Sequence, residues 1–154
     1  MMRRTLQRAV GGRLLLASLA LPGAAQAAEP GAALFARHCA ICHQADASGT
    51  IGLAPPLKGA HWVRLGADAR YLTMVLINGL SGKIVVGEQT FVGNMPAFGP
   101  QLDDASLAAI AGHLRQLQSE VAEPAPTAEA FAAQRQLPGS PPQSRQRRTQ
   151  LLGG

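Results

Sequence analysis

Both cysteines of this 154-residue chain lie in one five-residue segment, Cys39-Ala40-Ile41-Cys42-His43. In an α-helix, residues three or four positions apart lie on the same face, one turn from each other. The two thiols and the imidazole are therefore expected to point in one direction from a single helical turn. Because two cysteines are too few for a disulfide-rich scaffold, this segment is the first candidate for a functional site.

The spacing C-x-x-C-H is typical of covalent attachment of a c-type haem. Two thiols one turn apart can reach the two vinyl groups along one edge of a porphyrin, and His43 then offers its imidazole to the iron. A zinc site is disfavoured because tetrahedral zinc requires four ligands and the sequence has no second pair at matching spacing. A Cys39–Cys42 disulfide, or a thioredoxin-like redox pair, stays open as a weaker alternative, since no βαβ pattern accompanies the cysteines. The predicted cofactor is one covalently attached haem c per chain.

Residues 1–27 predict an export signal. Four arginines precede an uncharged apolar run over residues 14–21, and small residues at 25 and 27 predict cleavage after Ala27. The apolar run is too short to span a bilayer, which requires about 20 residues. The sequence therefore predicts a periplasmic protein, since the leader is of the bacterial type, with at most a peripheral membrane contact.

The net charge of +5 does not indicate a nucleic-acid-binding protein. The predicted leader carries four of the arginines and no acidic residue, so the chain that remains after cleavage is nearly neutral. Binding to phosphate backbones depends on a surplus of basic side chains. Nucleic acid is therefore excluded as a predicted partner.

The remaining chain divides by composition into a domain over residues 28–120 and a Pro-, Gln- and Arg-rich tail over residues 121–154. The tail is predicted to be disordered, with at most a transient helix over 127–137. Its basic cluster at 143–148 docks an acidic partner or anionic lipid, or is simply solvated. Aromatic residues make up only 4% of the chain, so a central haem would supply apolar surface that the core lacks. The predicted elements are helices over 32–43, over 67–78 and from Asp103 or Asp104 to 117, with a short hairpin that pairs 84–86 with 90–92.

Met95 is the predicted second ligand of the iron, because histidine and methionine form a common axial pair. It directly precedes Pro96, and both the proline and the residue before it have restricted backbones, which stiffens the loop. Met74 instead lies in an apolar helical stretch, where a methionine usually fills the core. The predicted metal ligands are therefore His43 and Met95.

Over residues 30–119 the chain resembles the class I monohaem cytochromes c of bacteria. The resemblance implies a mostly α, cytochrome c-like domain wrapped round one covalent haem. It also implies that the carbonyl of Pro55 accepts a hydrogen bond from Nδ1 of His43, which would fix the ring orientation. His113 departs from the family, whose members often carry an aromatic there. This departure predicts a contact between the first and last helices that is either looser or carried by Leu114. The features that carry the resemblance are Gly31 and Phe35 ahead of the cysteines, Pro55, Leu57 and Gly59 after His43, the segment from Asn94 to Phe98, and the capped last helix.

An iron with two protein ligands has no open position for a substrate, so the sequence predicts a one-electron carrier and not an enzyme. The resemblance implies periplasmic redox proteins as partners, with a dehydrogenase as donor and an oxidase or other protein as acceptor. The exposed haem edge is expected near Ala40, Ile41 and Ala97. Three alternatives stay open: a permanently bound haem subunit of a multi-subunit dehydrogenase, a haem enzyme or gas sensor in which Met95 is displaced, and a haem-free thiol-disulfide protein.

Overall fold

The computed structural model describes residues 29–153, so the predicted export signal lies outside the described residues. The described part is mostly helical, with seven helices and one antiparallel hairpin. No helix within it is long and apolar enough to cross a bilayer. The elements are α1 (Gly31–His38), α2 (Ala40–His43), α3 (Ala60–Gly66), α4 (Tyr71–Asn78), β1 (Leu80–Val86), β2 (Gln89–Met95), α5 (Asp104–Leu117), α6 (Ala128–Arg135) and α7 (Pro141–Leu152).

The helix predicted over residues 32–43 is present but is interrupted at Cys39, which separates α1 from α2. Cys39 has φ −120° and ψ −40°, outside the regular helical range. Its backbone still bridges the two helices, because its N–H donates to the Phe35 carbonyl at 2.9 Å and its own carbonyl accepts from the His43 N–H at 2.9 Å. The cysteine-histidine segment is thus a short helical turn, as the spacing predicted.

Helices α1 and α5, the first and last of the predicted domain, cross at Gly31. A Cβ atom added to Gly31 would lie 2.0 Å from the carbonyl oxygen of Ala109, so only glycine allows this approach. One turn later, the rings of Phe35 and His113 meet edge to face with their centroids 5.3 Å apart. The imidazole therefore takes the place of the aromatic that the family often carries. Asp103 caps α5, because its Oδ1 accepts from the Ser106 N–H at 2.8 Å.

We expect Gly31→Ala to lower the free energy of unfolding of the haem-loaded protein by about 1–3 kcal/mol, because the methyl group has no space against α5. Gly112→Ala is the matched control, since nothing lies within 4 Å of a Cβ at that position in the same helix pair. It should raise the free energy of unfolding by about 0.5–1 kcal/mol through the better helix propensity of alanine. Urea denaturation followed by circular dichroism measures both. If both substitutions changed the free energy of unfolding in the same direction, the close crossing at Gly31 would be contradicted.

The predicted hairpin is confirmed and is longer than expected. β1 and β2 pair along their whole length, from Leu80 opposite Met95 to Val86 opposite Gln89. Leu80 and Phe91 are buried, which fixes the register because a slip of one residue would expose them. The register places Met95 at the end of the hairpin that adjoins α4.

The prediction that residues 121–154 form a disordered tail is wrong. The segment forms α6 and α7, and both pack against the domain. α6 begins at a capping residue, Thr127, whose hydroxyl oxygen accepts from the Ala130 N–H at 3.4 Å. Phe131 is fully buried in the common core. One buried aromatic and a cap thus stabilise a helix where the sequence predicted at most a transient one.

A single arginine joins α6 to the loop that precedes α5. The Nε atom of Arg135 donates to Asp104 at 2.6 Å, and its two terminal nitrogens donate to the carbonyls of Gly99 at 2.5 Å and Leu102 at 2.6 Å. Charge-assisted bonds of this kind are stronger than neutral ones. Arg135 therefore fixes α6 against the segment that follows β2.

The basic cluster at residues 143–148 belongs to α7, which lies against α3, α4 and β1. Arg147 donates from Nε to Asp68 at 2.6 Å and forms an ion pair with it. Ser144 and Arg148 are buried on the side of α7 that faces the domain. The cluster is therefore not simply solvated, because Arg148 is buried and Arg147 is paired with a carboxylate of the domain.

Candidate functional site

The helices and the hairpin enclose a cavity of about 260 Å³. All five predicted site residues line it, although they come from three separate segments of the chain: Cys39, Cys42, His43, Pro55 and Met95. Most of the remaining wall is apolar, with contributions from α1, α4, the hairpin and α5. The structure thus brings the two thiols, the imidazole and the thioether to one apolar chamber.

His43 is buried at 7% exposure, and its Nδ1 atom lies 2.8 Å from the carbonyl oxygen of Pro55. This is the hydrogen bond that the resemblance implied. Because a carbonyl can only accept, Nδ1 carries the proton, and Nε2 keeps the lone pair that a metal requires. Burial lowers the pKa of His43 below its ordinary 6.5, although the bond to Pro55 opposes this effect. The imidazole is therefore neutral and fixed in one orientation at neutral pH.

The loop between α2 and α3 holds Pro55 in place through its own hydrogen bonds. The Leu57 N–H donates to the Ala47 carbonyl at 2.9 Å, and the Gly49 N–H donates to the His43 carbonyl at 2.8 Å. From the end of α5, the fully buried Gln118 donates its side-chain amide to the Leu57 carbonyl at 2.5 Å. The position of the Pro55 carbonyl is thus set by both local and long-range bonds.

The two thiols are not joined to each other. Burial, and after it the nearby Cys42, raises the pKa of the Cys39 thiol to about 11. Reactive redox cysteines have the opposite property, a lowered pKa that exposes a thiolate. The environment of Cys39 therefore disfavours the thiol-disulfide alternative.

Met95 ends β2, and the chain after it is fastened to the end of α4. The Phe98 N–H donates to the Leu76 carbonyl at 2.9 Å. Gly79 follows α4 with φ +72°, and a Cβ atom there would lie 2.5 Å from the Met95 carbonyl oxygen. The close backbone approach at glycine and the stiff Pro96 together fix the methionine at the cavity wall.

Met74 does not compete for this position. It lies on α4, half-buried, and is not one of the residues that line the cavity. Among residues 29–153, Met95 is the methionine that shares the chamber with His43. The placement of the two side chains therefore favours the predicted distal ligand.

The chamber opens to solvent beside the cysteine segment. Ile41 and Leu53 both line the cavity and are 80% and 58% exposed. Ala40 and Ala97, which were also expected beside the haem edge, are partly buried and do not line the cavity. The opening of the chamber thus lies near Ile41, and Leu53 is an addition that the sequence did not predict.

Two further polar side chains line the site. Trp62 lines the cavity but donates its indole N–H to the Pro56 carbonyl at 3.2 Å. Arg148 of α7 lines the cavity and is only 5% exposed. No pattern in the sequence pointed to Arg148, because it lies in a polar segment without apolar periodicity.

The donor set fits a c-type haem: two unpaired thiols for the vinyl groups, a neutral imidazole and a thioether for the iron, and apolar walls for the ring. When bound, the haem supplies a metal that changes its charge by one electron. The protein supplies the ligands, the orientation of His43 and the exclusion of water.

Comparisons with known proteins agree with this chemistry. The family model described as "Cytochrome C oxidase, cbb3-type, subunit III" matches residues 26–114, which contain all five predicted site residues and end before α6. A cytochrome c-552 of Thermus thermophilus is 39% identical over 104 residues, which cover 66% of this chain and 69% of that protein. A second cytochrome c-552 of the same species is 38% identical over 86 residues, covering 54% and 64%.

The chain is also similar to part of a larger protein. The cbb3-type cytochrome c oxidase subunit CcoP of Azospirillum brasilense is 32% identical over 98 residues, which cover 60% of this chain and only 29% of that subunit. The family model and the cytochrome c-552 relatives each cover more than half of the present chain. By its cavity, its thiols and these relatives, the chain belongs to the cytochrome c family, as a monohaem, haem-based electron carrier with a covalently bound c-type haem.

Proposed function

We propose that this protein is a periplasmic one-electron carrier that accepts electrons from a dehydrogenase and passes them to an oxidase or another terminal acceptor. One observation carries the proposal: His43 and Met95, from distant parts of the chain, line the same cavity. With both axial positions filled by the protein, the iron has no open position for a substrate. Electron transfer requires no such position, whereas binding of oxygen or peroxide does.

Each predicted site residue has one role in this proposal. Cys39 and Cys42 form the two thioether bonds to the haem. His43 supplies the proximal nitrogen, and the Pro55 carbonyl holds its ring through the 2.8 Å hydrogen bond. Met95 supplies the sulfur, which raises the reduction potential relative to harder ligands.

The apolar surface around the cavity mouth supports brief docking of redox partners. Ile41 and Leu53 are exposed there, and Ile51 in the same loop is 83% exposed. Interfaces of transient redox complexes are small, commonly below about 1,200 Å². Since the domain is nearly neutral, we expect the rate of association to depend only weakly on ionic strength.

The predicted leader supports the periplasmic location, because it carries the basic, apolar and small-residue regions of an export signal in the expected order. The second candidate function is that of a permanently bound subunit of a larger oxidoreductase. It is favoured by the similarity to CcoP, which is named as a subunit of an oxidase, and by the name of the matching family. Size-exclusion chromatography of an unfractionated periplasmic extract separates the two: a carrier elutes as a small haem protein, whereas a subunit elutes with a larger complex.

Carbon monoxide tests the closed coordination on which the proposal rests. The reduced protein should not change its spectrum on addition of carbon monoxide, and the oxidised protein should show the sulfur-to-iron absorption band. The intact mass under denaturing conditions should exceed that of the mature chain by one haem. Rapid binding of carbon monoxide, with the sulfur-to-iron band missing, would favour a haem enzyme or gas sensor in which Met95 is displaced.

A further inference from the structure

Arg148 is a charged residue that lines the cavity, although it lies beyond the part of the chain that the family model matches. It lies on α7, whereas the match ends at residue 114. The residue is 5% exposed and lines the same cavity as His43 and Met95. A guanidinium does not lose its charge in proteins, so this position holds a buried cation.

Two other arginines of α6 and α7 have carboxylate partners, but Arg148 does not. Arg135 pairs with Asp104 and Arg147 pairs with Asp68. Within residues 29–153, no carboxylate lies within 4.0 Å of Arg148. Its partners are neutral: Nη2 donates to the Val85 carbonyl at 3.5 Å, and the guanidinium also lies against the Tyr71 hydroxyl.

The surroundings of Arg148 supply no negative charge either. Burial raises the pKa of Tyr71 on α4, and the nearby guanidinium of Arg148 opposes this effect. Burial lowers the pKa of His61 on α3, and the guanidinium lowers it further. One turn earlier on α7, Arg145 has a buried Nε atom without a partner among the described residues. A buried charge is costly unless an opposite charge and hydrogen bonds compensate it. Among the described residues, no carboxylate pairs with this buried charge.

We propose that Arg148 is the counter-ion of a haem propionate, so that α7 completes the cofactor site. A c-type haem carries two propionate carboxylates, and the planar fork of arginine matches a carboxylate. The indole N–H of Trp62 is already bound to the Pro56 carbonyl and is not free for a propionate. Arg148, beside Tyr71, is the donor at this wall that also carries a positive charge. The inference rests on the seating of the haem in this cavity, as proposed above.

The proposal has an electrostatic consequence. The positive charge of Arg148 opposes the additional positive charge of the oxidised iron and therefore raises the reduction potential. Its removal should favour the oxidised form by about tenfold, which for a one-electron couple corresponds to about 59 mV. If Arg148 only fixed α7 in place, the reduction potential would not depend on whether the side chain at this position carries a charge.

Spectroelectrochemical titration of the full-length haem protein tests this with three variants. Arg148→Gln should lower the midpoint potential, and Arg148→Lys should restore most of the loss because it keeps the charge. Arg147→Gln is the matched control: it removes the same charge one residue away on the exposed side of α7, and its potential should stay near that of the unaltered protein. Equal potentials for Arg148→Gln and Arg147→Gln would overturn the proposal.

Two further readouts distinguish a failure of the proposed function from a failure of the role proposed for Arg148. The pyridine haemochrome spectrum and intact mass report haem attachment, so a protein without haem contradicts the proposed function and not the role of Arg148. If the Arg148→Gln variant does not accumulate in cells, infrared redox-difference spectra of the unaltered protein test the proposal instead. They report the pH at which the haem propionate takes up a proton. A propionate that stays ionised below pH 4 supports pairing with Arg148, whereas one that takes up a proton at or above the ordinary carboxyl range of about 4 to 5 overturns it.

Discussion

Replacement of Cys39 and Cys42 together by serine is expected to abolish covalent haem attachment and to unfold most of the domain. A serine hydroxyl does not form the thioether bond. Without the haem, the apolar chamber of about 260 Å³ has no occupant. The apolar walls then lose the contacts that the haem would supply, and a loss of this kind is large against a total stability of about 5–15 kcal/mol.

Intact mass under denaturing conditions and far-ultraviolet circular dichroism measure the two consequences. The single variant Cys42→Ser is the control, because it keeps the buried Cys39 and can retain one thioether bond. It should bind haem with one covalent link and show intermediate stability. A double variant that unfolds at the same denaturant concentration as the haem-loaded parent would show that the fold does not depend on the haem.

Replacement of Met95 by alanine is expected to lower the reduction potential by a few hundred millivolts, within the span of about 0.8 V that axial ligands produce. The sulfur favours the reduced iron, and its loss leaves the sixth position to water or another weak ligand. The reduced variant should therefore bind carbon monoxide, which the parent protein should not. Potentiometric titration and the sulfur-to-iron absorption band of the oxidised protein provide the measurement.

Met74→Leu is the matched control for Met95→Ala. Met74 lies on α4 away from the cavity wall, and leucine has a similar volume, so potential and spectrum should stay unchanged. If Met74→Leu removed the sulfur-to-iron band and Met95→Ala left it intact, the assignment of the distal ligand would be wrong.

Local sequence patterns predicted several features correctly because their causes lie within a few residues. The spacing of Cys39, Cys42 and His43 requires only one helical turn, and the structure shows that turn. Asp103 caps α5 through a bond to an N–H three residues later. The hairpin follows from two apolar runs around a Gly-Glu turn, and it extends further than the runs themselves because Leu80 and Met95 also pair.

Features that depend on distant contacts were missed or misjudged. Residues 121–154 were expected to be disordered, since their composition is polar. Their order depends on Phe131 in the common core, on Arg135 bound to two carbonyls and Asp104, and on Arg147 paired with Asp68. Stability of short helices in proteins comes mainly from tertiary packing, which composition does not record.

The sequence by itself determined the chemistry of this protein: which thiols, which imidazole and which thioether are available, because those functions depend on residue type and short-range spacing. The tertiary structure alone decided that these groups share one chamber, and that a C-terminal helix closes it with a buried arginine. The reason is that a cavity and the charge inside it arise only when segments distant in sequence pack against each other.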